Sequence, residues 1–309
     1  MMRDIRGQVA VTVTPFLRGE TPDLEEIKRQ TEALCLSGTD GIFPCSSTGE
    51  YPKLSFADKL RIMRTVSETN RGRKFLIAGA CAVSLEEVKR CIDAARELAY
   101  DACLVCPPYY YPLKQDEVLA FYREICAYAK DMRIIAYNVP FFTTEITLDT
   151  FRELLAIPNL AGMKDSSGNL KMISHECDLA REMKPDFVLY SGTDDCLLPS
   201  LAAGARGCMT ALSAIFPDTV KRIFTCYEAG QLEEAIRIQR SLLPFLRLAD
   251  SLVFPEGYKL AAKAAGLRVG ELSVLSDPAK AAAVYAGLQE EMKRIPGAGG
   301  KAPAGSALR

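Results

Sequence analysis

Short β-branched or apolar runs recur along the chain, ending near Thr14, Pro44, Ala80, Cys106, Asn138, Lys164, Gly192 and Thr210. Segments of helical periodicity separate them, so the repeat spacing is roughly 20 to 35 residues. A brief apolar run followed by an amphipathic stretch is the signature of a βα unit, and the pattern predicts eight in succession. The helices carry their own start signals. Asp23 and Glu26 have capping-box spacing, Leu24, Ile27 and Leu34 recur on one face, and Gly38 closes the pattern. Ser84 and Glu87 repeat that spacing ahead of a stripe formed by Val88, Cys91, Ile92, Ala95 and Leu98. Eight parallel strands, each followed by a helix, close most economically into a (β/α)8 TIM barrel; a doubly wound open sheet is the competing arrangement. Three further helical patterns, over 231–251, about 256–265 and 278–294, predict a C-terminal helical extension. The division expected is a catalytic barrel over 1–225, an extension over 226–295 packed on it, and a disordered tail over 296–309. Gly, Ala and Pro without apolar period in that tail cannot repay ordering entropy.

Composition narrows the function. Apolar residues are 49% and charged residues 25% of 309, enough for an ordinary packed core. Thirty-eight Lys and Arg against 39 Asp and Glu leave a net charge of -1, which supplies no basic field for nucleic acid or anionic lipid. No apolar stretch reaches membrane-spanning length and the amino terminus lacks a signal-peptide core, so a cytoplasmic location is expected. The 11 cysteines are odd in number and scattered, and read as small buried apolar residues. Cys103 and Cys106, three apart in a strand, point to opposite faces. A single histidine, His175, cannot build a His-rich zinc centre or a Ser-His-Asp triad.

In a parallel barrel the reactive groups stand at the carboxyl ends of the strands. Strand six ends in Lys164, and an amine at the dry end of a barrel strand is costly as an ammonium, which favours the neutral nucleophile. Its alternative is a loop lysine paired with Asp165. Strand five places the phenol of Tyr137 at equivalent height, as a proton relay or as a core tyrosine. After strand two, Ser46-Ser47-Thr48-Gly49-Glu50 makes either a small anion-binding turn or a plain capping turn. After strand four, Pro107 to Pro112 presents Tyr109, Tyr110 and Tyr111 at the mouth, as an interface or a lid. Beyond strand seven, Thr193, Asp194 and Asp195 offer partners for hydroxyl groups.

These residues resemble the N-acetylneuraminate lyase and dihydrodipicolinate synthase family of pyruvate-type Schiff-base class I aldolases. The resemblance runs from about Gln8 to Leu267 and rests on Ser47-Thr48-Gly49-Glu50, Pro108-Tyr109-Tyr110, Tyr137-Asn138-Val139-Pro140, Gly162-Met163-Lys164-Asp165 and Ser191-Gly192-Thr193-Asp194-Asp195. It implies that Lys164 forms an imine with a 2-oxo acid, that Tyr137 relays protons, and that Ser47 and Thr48 hold the substrate carboxylate. It further implies that Tyr110 is lent across a subunit interface in a homotetramer, and that no metal or other cofactor is needed. Ser166 and Gly192, beside the lysine and the acidic run, join the substrate-binding candidates. Synthases of this family typically carry arginine where Phe142 stands, a cation that would grip the far carboxylate of aspartate semialdehyde. The expectation is therefore cleavage of a 2-oxo-3-deoxy sugar acid to pyruvate and an aldehyde, or the reverse. Dihydrodipicolinate synthase is the alternative, with a non-catalytic 2-oxo acid or sugar-binding barrel and a phosphate-handling isomerase as readings of another class.

Overall fold

The computed structural model describes residues 3–270 and 276–297. Its strands are β1 (Gly7–Val11), β2 (Gly41–Phe43), β3 (Phe75–Gly79), β4 (Ala102–Val105), β5 (Arg133–Asn138), β6 (Leu160–Asp165), β7 (Val188–Ser191) and β8 (Gly207–Thr210). All pair in parallel with their chain neighbours, and β1 pairs with β8 from Gly7↔Gly207 to Ala10↔Thr210, which closes the barrel. The open-sheet alternative is thereby excluded. Helices α1 (Leu24–Leu36), α2 (Phe56–Asn70), α3 (Leu85–Glu97), α4 (Gln115–Ala129), α5 (Leu148–Leu155), α6 (Leu170–Met183) and α7 (Leu197–Ala203) follow the first seven strands.

Strand alternation sorts the core into two layers. Val9, Val11, Phe43, Ile77, Leu104, Ile135, Tyr137, Tyr190 and Met209 fill the barrel interior. Ala10, Ile42, Ala78, Cys103, Ile134, Ala136 and Met163 face outward beneath the helices. Cys103 and Cys106 fall in different layers, as their spacing requires.

Asp23 accepts the Glu26 N–H at 3.1 Å and starts α1 as expected. Ser84 precedes α3 without making a side-chain cap, and the Glu87 carboxylate, which would complete a capping box, accepts from the Lys59 ammonium at 2.7 Å instead. The apolar stripe of α3 nonetheless packs inward. After β8 come α8 (Leu212–Ile215) and α9 (Pro217–Glu228), then the extension helices α10 (Leu232–Asp250), α11 (Glu256–Ala264) and α12 (Pro278–Met292). The division expected at 225/226 falls inside α9. Val13, Leu212, Val220, Phe245, Leu246, Leu260 and Leu288 share one buried cluster that joins the extension to the barrel. Of the expected tail, Pro296 accepts a hydrogen bond from the Thr219 hydroxyl at 3.0 Å, and residues 298–309 lie outside the described residues. Among the described residues, no helix is long and apolar enough to cross a membrane.

Candidate active site

Register decides what meets in the barrel. Tyr137 of β5 stands opposite Lys164 of β6, and Asn138 stands opposite Asp165. Alternation then sends Tyr137 and Lys164 into the interior and the other pair outward, into the layer beneath the helices. Lys164 is 5% exposed, and its Nζ lies 4.5 Å from the Tyr137 ring centroid and 5.8 Å from that of Phe43. No carboxylate among the described residues pairs with it, so the loop ion pair with Asp165 is not formed. Asp165 is turned away instead. Its carboxylate accepts from Asn138 Nδ2 at 2.5 Å and from the Ser167 hydroxyl and N–H at 2.5 and 2.9 Å. Burial pushes the Asp165 carboxyl above its ordinary range, and those donors partly offset the shift. Asn138 Oδ1 in turn accepts the Ile146 N–H at 3.0 Å, so this outer network ties the β5 and β6 loops together behind the two interior side chains.

Tyr137 is also 5% exposed, and its backbone N–H is held by the Tyr122 hydroxyl at 3.2 Å. Its phenol finds no hydrogen-bond partner among the described residues, which a tyrosine bonded only for structure would have. Gly192 closes the other side. A Cβ there would come within 2.9 Å of Lys164 Cε, 2.8 Å of the Asp165 carbonyl oxygen and 2.0 Å of Ser166 Oγ, so only glycine fits. The buried hydroxyls of Ser166 and Thr193 have no partner among the described residues. Buried polar atoms are normally satisfied, and two orphans flanking one glycine beside an unpaired amine mark a place for ligand atoms.

The β2 loop is a tight turn. Ser46 Oγ accepts the Gly49 N–H at 3.0 Å, Ser47 O accepts the Glu50 N–H at 3.0 Å, and Thr14 Oγ1 donates to Gly49 O at 2.6 Å. Within it, the N–H groups of Ser47 and Thr48 donate to no acceptor among the described residues. An anion would satisfy them.

The remaining candidates separate. Tyr109 is half-buried, edge-on to Tyr51 with centroids 6.1 Å apart, so the three exposed phenols expected from sequence reduce to Tyr110 and Tyr111. Tyr110 is 84% exposed and adopts a left-handed φ of 87° that a tyrosine rarely tolerates. Asp195 is exposed, whereas Asp194 is nearly buried and its carboxylate accepts the Leu212 N–H at 3.3 Å. Burial raises the Asp194 carboxyl to about 7. Phe142 lies against Phe254, centroids 5.5 Å apart, and Phe254 against Tyr258 at 5.7 Å. Tyr258 donates to Asp250 at 2.6 Å. Phe254 and Tyr258, between and within α10 and α11, bring the extension over the mouth, and no sequence signal pointed to them. His175 is exposed on α6, and no group of His, Cys, Asp or Glu among the described residues has a metal-binding arrangement.

A closed (β/α)8 barrel with a buried, unpaired lysine facing a phenol inside its wall defines a class, the lyase-type Schiff-base enzymes. Residues 4–283 match the Dihydrodipicolinate synthetase family, and the chain belongs to it. Similar relatives include the 4-hydroxy-tetrahydrodipicolinate synthases of Listeria innocua, 36% identical over 76% of this chain and 79% of that one, and of Anaeromyxobacter dehalogenans, 31% identical over 95% and 98%. The dihydrodipicolinate synthase of Thermotoga maritima superposes with a TM-score of 0.87 at 26% identity, covering 94% of this chain and 99% of that one. A sialic acid aldolase of Ruminococcus gnavus shares the fold, with a TM-score of 0.84 at 20% identity over 96% and 100% of the two chains. These likenesses favour the synthase alternative over the sugar-acid cleavage expected from the sequence.

Proposed function

We propose that this chain joins pyruvate to an aldehyde, or splits the product, through an imine on Lys164. The observation that carries the reading is the Lys164 amine, buried in the barrel, without an ion partner among the described residues and 4.5 Å from the Tyr137 ring. The amine adds to the 2-oxo carbon, water leaves, and the resulting iminium acts as an electron sink. Tyr137 takes the proton from the adjacent methyl carbon, giving an enamine whose carbon attacks the aldehyde; water then hydrolyses the imine and restores the amine. Ser47 and Thr48 hold the pyruvate carboxylate, and Ser166 and Thr193 offer hydroxyls beside the imine. No step is assigned to a metal, and added chelator is expected to leave turnover unchanged.

For the second substrate, the names carried by relatives 31–36% identical support aspartate semialdehyde, the synthase reaction. One observation favours a second reading, a neutral aldehyde. Where a cation would pair with the far carboxylate stands Phe142, packed against Phe254; the carboxylates of Asp250, Asp194 and Asp195 surround the neighbouring Tyr258, and the cation near them, Arg247, is exposed and acts on Asp250. A desolvated carboxylate placed there without a partner costs several kcal/mol, on the order of a thousandfold in selectivity. Tyr110 and Tyr111, left projecting, suit burial by a second copy of the chain within a tetramer.

Borohydride reduction in the presence of pyruvate tests the core of the reading. A single added pyruvyl unit on Lys164 is expected; an adduct on another lysine, or none, defeats it. Coupling rates for aspartate semialdehyde against neutral and sugar aldehydes then choose between the two partners.

A further inference from the structure

Glu50 and Lys259 form an ion pair whose members are 4% and 2% exposed, joining residues 209 positions apart. Neither touches Lys164 or Tyr137. A buried pair of this kind is weak evidence for stability, since apolar residues of similar size often serve as well, so its presence asks for another explanation. The surroundings supply one.

Glu50 ends the turn that begins at Ser47, and its φ of 59° is left-handed, a conformation a glutamate leaves unless something holds it. Its two carboxylate oxygens are held from two sides, one by Lys259 and the other by Lys53 at 2.6 Å. Lys259 belongs to α11 of the extension, and its Nζ lies 4.2 Å from the ring centroid of Phe16, in the loop after β1. Burial lowers the basicity of this amine, and the bond to Glu50 works in the opposite direction. Around it the same segment is fastened to the barrel. Val269 O accepts the Phe16 N–H at 3.3 Å, and Arg268 O accepts from Gln30 Nε2 at 2.9 Å.

We infer that Lys259 is a positioning residue for the substrate carboxylate: through Glu50 it locks the Ser47-Thr48-Gly49-Glu50 turn in the shape that leaves two backbone N–H groups free for the anion. The inference rests on the proposed binding of the 2-oxo acid by Ser47 and Thr48. It separates recognition from chemistry, because Lys164 and Tyr137 are held by other residues. Loosening the turn weakens pyruvate capture while the imine, once formed, reacts as before.

Steady-state kinetics with pyruvate varied, thermal unfolding and borohydride trapping on Lys259→Met test this. Pyruvate KM is expected to rise about tenfold, the worth of one charge-assisted hydrogen bond, with kcat within about twofold of wild type. Trapping at saturating pyruvate still labels Lys164. If the Glu50 carboxylate, buried with only Lys53 left to pair with it, prevents folding, the double variant Glu50→Gln/Lys259→Met, which removes both buried charges, carries the same expectation. Lys53→Ala, removing only the exposed partner, is expected to change KM less than twofold. A folded variant with wild-type KM, a fall confined to kcat, or failure of both variants to fold would overturn the inference. Absence of the wild-type adduct on Lys164 would instead overturn the functional reading beneath it.

Discussion

Replacing Gly192 with alanine tests how tightly the lysine is packed. The new methyl carbon would sit 2.0 Å from Ser166 Oγ, 2.8 Å from the Asp165 carbonyl oxygen and 2.9 Å from Lys164 Cε. The serine hydroxyl can rotate away, since it has no partner to lose among the described residues. The other two cannot yield so easily. The Asp165 carbonyl accepts the Gly192 N–H at 2.6 Å, so relieving that contact stretches the bond joining β6 to the β7 loop. Restoring an ordinary carbon–carbon separation of about 3.6 Å moves Lys164 Cε by roughly 0.7 Å. Overpacking of this kind costs about 1–3 kcal/mol of stability, and displacing a reacting atom by close to an ångström costs on the order of 10² in rate. Thermal unfolding gives the first figure, and single-turnover trapping of the pyruvyl adduct gives the second. The expected result is a folded protein whose imine forms about a hundredfold more slowly. An alanine variant that traps pyruvate at the wild-type rate would refute the packing argument and show that the Lys164 side chain has room to move.

Other outcomes are equally direct. Tyr137→Phe is expected to lower kcat by about 10² to 10⁴ while retaining the fold, and a near-normal rate by steady-state assay would return the phenol to a packing role. Phe142→Arg is expected to raise the preference for aspartate semialdehyde over neutral aldehydes, read as a ratio of kcat/KM values; no change would mean the residue does not face the second substrate. Asp194 has its carboxyl raised to about 7 from an ordinary value of 3.8, so the folded state holds the proton more tightly. The stability this contributes is fully present below pH 4 and is lost as pH rises through about 7. Asp194→Asn should remove that part of the decline in denaturation midpoints between pH 4 and 8, and an unchanged profile would place the titration elsewhere.

The barrel was legible because each strand announces itself by a few apolar residues and each helix by its stripe, and those signals are local. Lys164 and Tyr137 were legible for a related reason, since both are polar residues closing apolar runs where a core position was due. What lay beyond reach depended on distance along the chain. Nothing near Glu50 indicates that its partner is Lys259, and nothing near Phe142 indicates Phe254; each contact exists only once the extension has folded back over the mouth. The Glu87 half of the capping box expected at Ser84 is lost in the same way, because its carboxylate pairs with Lys59 on a neighbouring helix. The bond that the Asp194 carboxylate accepts from the Leu212 N–H was equally out of reach, since it is fixed by the course of the chain after β8.

The Glu50–Lys259 pair also bears on the order in which the protein comes into being. Chains emerge from the ribosome amino terminus first, and folding begins on what has appeared. When β8 is released, every strand, the Lys164 amine and the Tyr137 phenol are already present, yet Lys259 and the strap at Val269 that clasps Phe16 have not been made. A nascent chain at that moment holds the Lys164 and Tyr137 side chains but lacks the fastening on its β2 turn. Truncation before α11 takes away Lys259 and Val269 together, so the β2 turn loses its fastening to residues more than two hundred positions further along the chain.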